Sequence, residues 1–194
     1  MEAKTAPRPS ARDRLLAAAD ELFYENGVNL VGIDRIIEHA GVAKASLYDS
    51  FGSKEELIRC YLKGRAQRRQ ARLSERMAQF QAPRDKILSV FDSLAETVAR
   101  PDYRGCAFQR VGAEAGPGTT LKNTCDDSRA WLRGQFAELA RRAGAADSES
   151  LGRQLALLYD GAAMTAYLDQ DLGAPLAARR VAEQLLSSPD QMSK

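Results

Sequence analysis

The apolar residues recur at helical spacing almost from the start of the chain. Leu15, Ala19, Leu22 and Phe23 fall at i, i+4, i+7 and i+8, one face of a helix, and Ser10, three residues before Asp13, supplies an N-cap pattern ahead of them. That spacing predicts a first helix over 10–26, ending at Gly27. Ile33, Ile36, Ile37 and Ala40 repeat the face in a short second helix, followed by Gly41 where a left-handed residue closes helices. A third helix can run over 44–50, closed by Phe51 and Gly52. Ser53 and Glu56 form an S-x-x-E capping box that opens a fourth helix, through Leu57, Tyr61 and Leu62 to about Phe80, and Pro83 marks a break. Beyond it the pattern predicts helices over 86–100, 108–115, 121–142, 148–169 and 176–186. No segment alternates like a strand with a hairpin turn, so the expected class is all-α, about nine helices in all.

Composition narrows the classes further. The 194 residues are 44 % hydrophobic, enough for an ordinary core. No apolar run approaches the roughly 20 residues that span a bilayer, and Met1 to Ser10 carry no apolar stretch of the signal-peptide kind, so no membrane contact and a cytoplasmic location are expected. Cys60, Cys106 and Cys125 are odd in number and far apart, and His39 is the single histidine, which argues against a disulfide framework and a zinc site. The cysteines read as small apolar residues, with a thiol sensor as the alternative. Net charge is +2, but residues 1–80 hold 14 Lys and Arg against 11 Asp and Glu, a mild excess on the amino-terminal side that is compatible with nucleic acid.

Two short helices joined by a glycine-containing turn over residues 33–51 match the helix-turn-helix plan, in which the second helix enters the major groove. Helical geometry sorts that second helix. Counting from Lys44, Leu47 lies at about 300° and Phe51 at about 340°, together on the packed side. Ala45, Ser46, Asp49 and Ser50 lie between about 100° and 240°, facing a groove, and Lys44 and Tyr48 sit on the flank within reach of phosphates. Small Ala45 lets the backbone approach, and Ser46 and Ser50 can meet base edges or phosphates. Asp49 either accepts from a cytosine amine or pairs with a nearby basic residue. Lys54 opens the fourth helix, where free N–H groups and the dipole already favour a phosphate. His39 lies off the apolar face, at the solvent side. Arg59, Lys63, Arg65, Arg68, Arg69, Arg72 and Arg76 form a basic run opposed only by Glu75, read as a solvated face or as a further positive field.

The run GVNLVGIDRIIEHAGVAKASLYDSFGSKEEL, residues 27–57, resembles the amino-terminal signature of TetR-family regulators almost position by position. The matching positions include Gly27, Ile33, Ile36, Ala40-Gly41-Val42, Leu47-Tyr48, Phe51 and Ser53-Lys54. Departures are Val31 and Gly32 where Thr and Ser often cap the second helix, Ala43 where Ser is common, and Asp49 and Ser50 where His is common. The resemblance implies a helix-turn-helix over 10–56 behind an arm at 1–9, then a helical effector-binding and dimerisation domain over 57–188 and a tail at 189–194. It implies base contacts from the third helix and backbone contacts from Tyr48 and Lys54; Arg35 joins the candidate DNA-binding residues.

For the second domain the resemblance implies an effector cavity, with Phe91, Phe108, Trp131, Tyr159 and Tyr167 as candidate lining; taken singly, such aromatic residues are more often plain core. Leu151, Leu155, Leu158, Ala162 and Ala166 form a stripe, with Leu176, Val181 and Leu185 on the last helix. By resemblance the two helices pair with their copies in a homodimer, the alternative being an intramolecular core. The implied function is a ligand-released repressor on a palindromic operator in double-stranded DNA, with a small-molecule effector. No cofactor motif, metal-ligand spacing or catalytic constellation is recognisable, so an enzyme is not expected. A small helical enzyme, or a helical protein-binding module that no longer grips DNA, stands as the alternative.

Overall fold

The computed structural model describes residues 9–188 and contains nine α-helices and no strand among them. In chain order they are α1 (Ala11–Asn26), α2 (Ile33–Ala40), α3 (Lys44–Phe51), α4 (Lys54–Ala78), α5 (Pro83–Val98), α6 (Ala107–Glu114), α7 (Thr120–Arg142), α8 (Ser148–Leu168) and α9 (Ala174–Leu185). The tail at 189–194 and all but Pro9 of the arm at 1–9 lie outside the described residues. None of the described helices is long and apolar enough to cross a membrane.

Local chemistry explains most boundaries. The Ser10 hydroxyl accepts from Asp13 N–H at 3.1 Å while the Asp13 carboxylate takes the Ser10 N–H at 3.3 Å, a complete capping box. Gly41 closes α2 at φ 61° and ψ 46°, the left-handed conformation that glycine adopts without a Cβ penalty. Pro83, read as a break, instead begins α5: at the first helical position its missing N–H is one that would have no intrahelical partner anyway. Pro175 stands at the second position of α9, where the backbone N–H likewise has no intrahelical partner to lose.

The chain divides into two compact units, one ending at Gly64 and the other beginning at Arg65. The division lies later than the expected 56/57 because the first turns of α4 are core to the first unit. Leu57, Ile58, Tyr61 and Leu62 are buried, and the Tyr61 ring meets Phe23 of α1 edge-on at 5.5 Å.

In the second unit, Phe91 of α5 stacks on Phe136 of α7 at 5.8 Å, and Tyr159 of α8 meets both edge-on at 6.2 and 6.5 Å. Gly152 is buried where α8 crosses α7: a Cβ built there would stand 2.7 Å from the backbone nitrogen of Ala137. Ala174, Ala178 and Ala182 bury the small-residue side of α9, and Arg179 pairs with Asp92 of α5 at 2.8 Å.

Much of the stripe expected to face a second subunit lies inside its own unit. Leu151 and Leu155 are 0 % exposed, Ala162 and Ala166 are buried, and Leu158 and Leu185 pack partly against the same core. Leu151, Leu155, Ala162 and Ala166 thus belong to the core of their own unit, the alternative held open for the stripe, while Leu158 and Leu185 stay half-exposed. Leu176 and Val181 do stay exposed, and beside them Leu157, Leu168 and Leu172 are more than 60 % exposed. On α8 the outward set Leu157, Gly161, Met164 and Leu168 is centred about 130° around the helix from the buried stripe.

Candidate nucleic-acid interface

In the first unit α1 and α2 pack against α3. Leu47, 0 % exposed, and Phe51, 6 % exposed, anchor it from behind, as the spacing predicted. Two arginines of α1 that sequence reasoning passed over hold its ends. Arg14 donates from Nη1 to the carbonyls of Ala40 and Gly41 at 3.2 and 2.9 Å, gripping the turn between α2 and α3, and Arg12 lies over the Phe51 ring at 5.0 Å. His39 is exposed as expected and meets the Glu21 carboxylate of α1 at 2.9 Å.

The outer face of α3 carries Lys44, Ala45, Tyr48 and Asp49, all exposed, with Ser46 and Ser50 half-buried at its edge. The open arc is thus turned toward Lys44 and Tyr48 relative to the arc drawn from spacing alone, so that both residues expected on the flank belong to it, Lys44 at its edge and Tyr48 within it. Arg35 of α2 is also exposed. Lys44 Nζ donates to Asp34 of α2 at 3.0 Å; that bond and the carboxylate charge raise the Lys44 pKa. Both partners are exposed, and such pairs open at little cost. Among the described residues Asp49 forms no ion pair. Asp34 is the carboxylate that takes a lysine instead.

The opening turns of α2 and α3 are bare. Gly32 and Ala43 occupy their N-cap positions and neither supplies a side-chain acceptor, while Val31 is 0 % exposed in the core. The departures from Thr and Ser noted in the sequence therefore leave helix amides without a capping side chain. At α4 the Ser53 hydroxyl accepts from Glu56 N–H at 3.1 Å, but the Glu56 carboxylate is engaged by Arg59 and by the Cys60 thiol. The Arg59 hydrogen bond holds Glu56 below the usual carboxylate range. Lys54 stands half-buried at the first position of α4, and burial lowers its pKa.

The basic run on α4 is not one solvated face. Arg59 pairs with Glu56, Arg76 with Glu96 at 3.0 Å, and Arg69 is buried. The aromatic residues proposed for an effector cavity occupy different places in the second unit. Phe91 is 0 % exposed and serves the ring cluster, Trp131 is half-buried at the edge of the core, and Tyr167 lies against Gly105 and under Arg110. Phe108 and Tyr159 are buried and both are close to Arg69.

The surroundings of the three thiols disfavour the thiolate. Cys125 is 1 % exposed and burial pushes its pKa up to about 11; burial also raises Cys106 and Cys60. A raised thiol pKa leaves the protonated form dominant at neutral pH, and thiolate accumulates only as pH climbs toward that value. An aromatic disulfide reagent at pH 7.5 should therefore label Cys125 only slowly in the folded protein, accelerating about tenfold per pH unit below its pKa, and promptly in denaturant. Rapid labelling of the native protein at neutral pH would contradict this environment.

The bacterial regulatory protein, tetR family, model matches residues 15–59. Over 51 residues, 26 % of this chain, the sequence is 47 % identical to the HTH-type transcriptional activator FasR of Mycolicibacterium smegmatis. The chain matches 23 % of that protein's length and 45 % of the length of another curated relative, so it spans less than half of each. Among solved structures, SCO4454, a TetR-family transcriptional regulator from Streptomyces coelicolor, superposes with a TM-score of 0.88 at 30 % identity, covering 93 % of this chain and 96 % of that one. A TetR transcriptional regulator from Chloroflexus aurantiacus shares the fold with a TM-score of 0.83 at 20 % identity, covering 94 % and 97 % of the two chains.

Proposed function

Because the chain belongs to the TetR family of bacterial regulatory proteins, we propose that it is a homodimeric, effector-released repressor that binds an inverted-repeat DNA operator. The observation that carries this reading is α3 itself: a short helix pinned by Leu47 and Phe51, with Lys44, Ala45, Tyr48 and Asp49 open to solvent. Small Ala45 lets the helix backbone close on the major groove, and Asp49, which forms no ion pair among the described residues, is left to accept from a cytosine amine. Ser46 and Ser50 reach base edges from the margin of the face. Lys44, Tyr48, Lys54 and Arg35 hold the phosphates, Lys44 by leaving Asp34, and the uncapped amides that open α2 and α3 add donors beside them.

The homodimer forms through the outward side of α8 and α9. Leu157, Leu168, Leu172, Leu176 and Val181 expose large apolar side chains on neighbouring stretches of chain, where a second copy would cover them. Two-fold pairing sets one α3 from each subunit in successive major grooves, which is why an inverted repeat is the expected site. The second unit takes the effector, and only an effector that prefers the DNA-free arrangement can release the operator.

The test is selection of genomic DNA fragments by purified protein that sediments as a dimer, followed by titration of the selected site in rising salt. An inverted repeat should emerge, with affinity falling steeply as salt rises through counterion release. A reporter placed downstream of the site should fall in expression when the protein is supplied. Folded dimer that selects no sequence at low ionic strength overturns the reading. FasR is named an activator, so a reporter that rises would reverse the sign of regulation while leaving the DNA site in place.

A further inference from the structure

Arg69 of α4, in the second unit, is 8 % exposed, although it stands in a run of basic residues that reads as surface. Its Nη2 donates to the Ser128 carbonyl at 2.5 Å and the Ser128 hydroxyl at 2.9 Å, and its guanidinium lies over the Phe108 ring with Cζ 4.8 Å from the centroid. Its Nε is buried and has no acceptor. Among the described residues no carboxylate forms an ion pair with it. Asp160, whose charge bears on the same region, is taken by Arg129 at 2.8 Å.

Neutral hydrogen bonds and a ring face orient this guanidinium, but they do not balance its charge. A cation held out of water without a counter-charge is a costly arrangement, and an apolar side chain of similar reach in its place removes that desolvation cost. Around it are the Tyr159 hydroxyl, kept neutral because burial raises its pKa, and the Cys106 thiol, similarly protonated. Gln109 of α6, bonded through its amide to the Asp160 carbonyl at 3.1 Å, keeps a buried Oε1 without a partner. The Phe108 and Tyr159 rings supply apolar surface beside it. A planar fork with donors to spare beside rings and neutral polar tips suits a carboxylate on an apolar body. A phosphate dianion would lose far more hydration in the same place.

We propose that the second unit binds a small organic carboxylate, one acid group on an aromatic or aliphatic body, with the anion seated against Arg69 where Ser128 and Phe108 hold the guanidinium. This rests on the reading of that unit as the effector domain and adds the chemical class of the effector and the residue that selects it. Benzoate, salicylate, phenylacetate and octanoate, each beside its primary amide, are the probes, and thermal melting of the full chain and of Arg69→Met is the measurement. At least one acid should raise the melting temperature of the parent protein while its amide does not. Arg69→Met should melt at or above the parent and should lose the response to that acid. The proposal is overturned by a parent that none of the acids stabilises, by an amide as effective as its acid, by an Arg69→Met variant that still responds, or by one that melts far below the parent, since that last result makes Arg69 a structural strut. Operator binding measured without acids stands apart: if it persists while the acid response fails, only the carboxylate is lost and the regulator reading remains.

Discussion

Gly152→Val is expected to unfold the carboxy-terminal unit at temperatures the parent protein tolerates. A Cβ at this position would stand 2.7, 2.8 and 2.8 Å from the backbone nitrogen, Cα and Cβ of Ala137, and a helix backbone has no rotamer with which to retreat. Relief requires α8 to move off α7. Leu151 and Leu155, both 0 % exposed on the same turns of α8, would then be drawn from the core that surrounds Phe136. Overpacking costs about 1–3 kcal/mol in ordinary cores and more where backbone must move. Valine adds two further methyl groups and gains at most about 1 kcal/mol of helix propensity over glycine. A loss of roughly 3 kcal/mol corresponds to a melting temperature lower by about 10 °C for a chain of this size. Gly134→Ala is the control: it lies on α7 with nothing within 4 Å of its added Cβ, and propensity alone should leave it neutral or stabilised by up to about 1 kcal/mol. Circular dichroism melts compare the two, and a Gly152→Val protein that melts with the parent would mean that α7 and α8 do not approach this closely.

Lys44→Ala combined with Lys54→Ala should leave a folded dimer whose hold on the operator is both weaker and much less sensitive to salt. Each lysine is assigned one phosphate, so the double variant removes four from a two-fold complex, and the slope of log affinity against log salt should become shallower by about 3–4. Neither substitution touches the core: Lys44 is exposed and Lys54 is half-buried at a helix start. Because phosphates carry no sequence information, the loss should be similar across operator variants. Asp49→Ala makes the contrast, since removing a carboxylate that reads a base relaxes preference at one position and leaves the slope nearly unchanged. A double variant with the parent's slope would place both lysines away from the duplex.

The helices of the first unit were legible because their signals are local. Ser10 with Asp13, Gly41 and Gly52 mark ends by their own backbone chemistry, and Leu47 with Phe51 identified the buried side of α3 from spacing. What failed depended on distant partners. α8 carries two apolar stripes, and nothing within the helix says that α5 and α7 would cover the one with Leu151 and Leu155 while Leu157 and Leu168 stay outside. Arg14 and Arg69 were equally opaque: long cationic side chains read as surface, and the groups that hold them, the Ala40 and Gly41 carbonyls and Ser128, lie 26, 27 and 59 residues away. The aromatic residues of the second unit were visible as a set, but only packing separates Phe91, sealed in the ring cluster, from Phe108, set against a cation.

Gly32 and Ala43 give the first unit a particular temperament. A capping Ser, Thr or Asp would be worth about 1 kcal/mol of helix stability over Ala43 and a few tenths of that over Gly32, and this chain forgoes both. On the reading proposed above, an anionic strand completes those two helix starts, so the headpiece stiffens as it lands on its target and slackens when it departs. Recognition and order are then a single event, and the regulator's grip is tuned by how much of its own rigidity it borrows from the double helix.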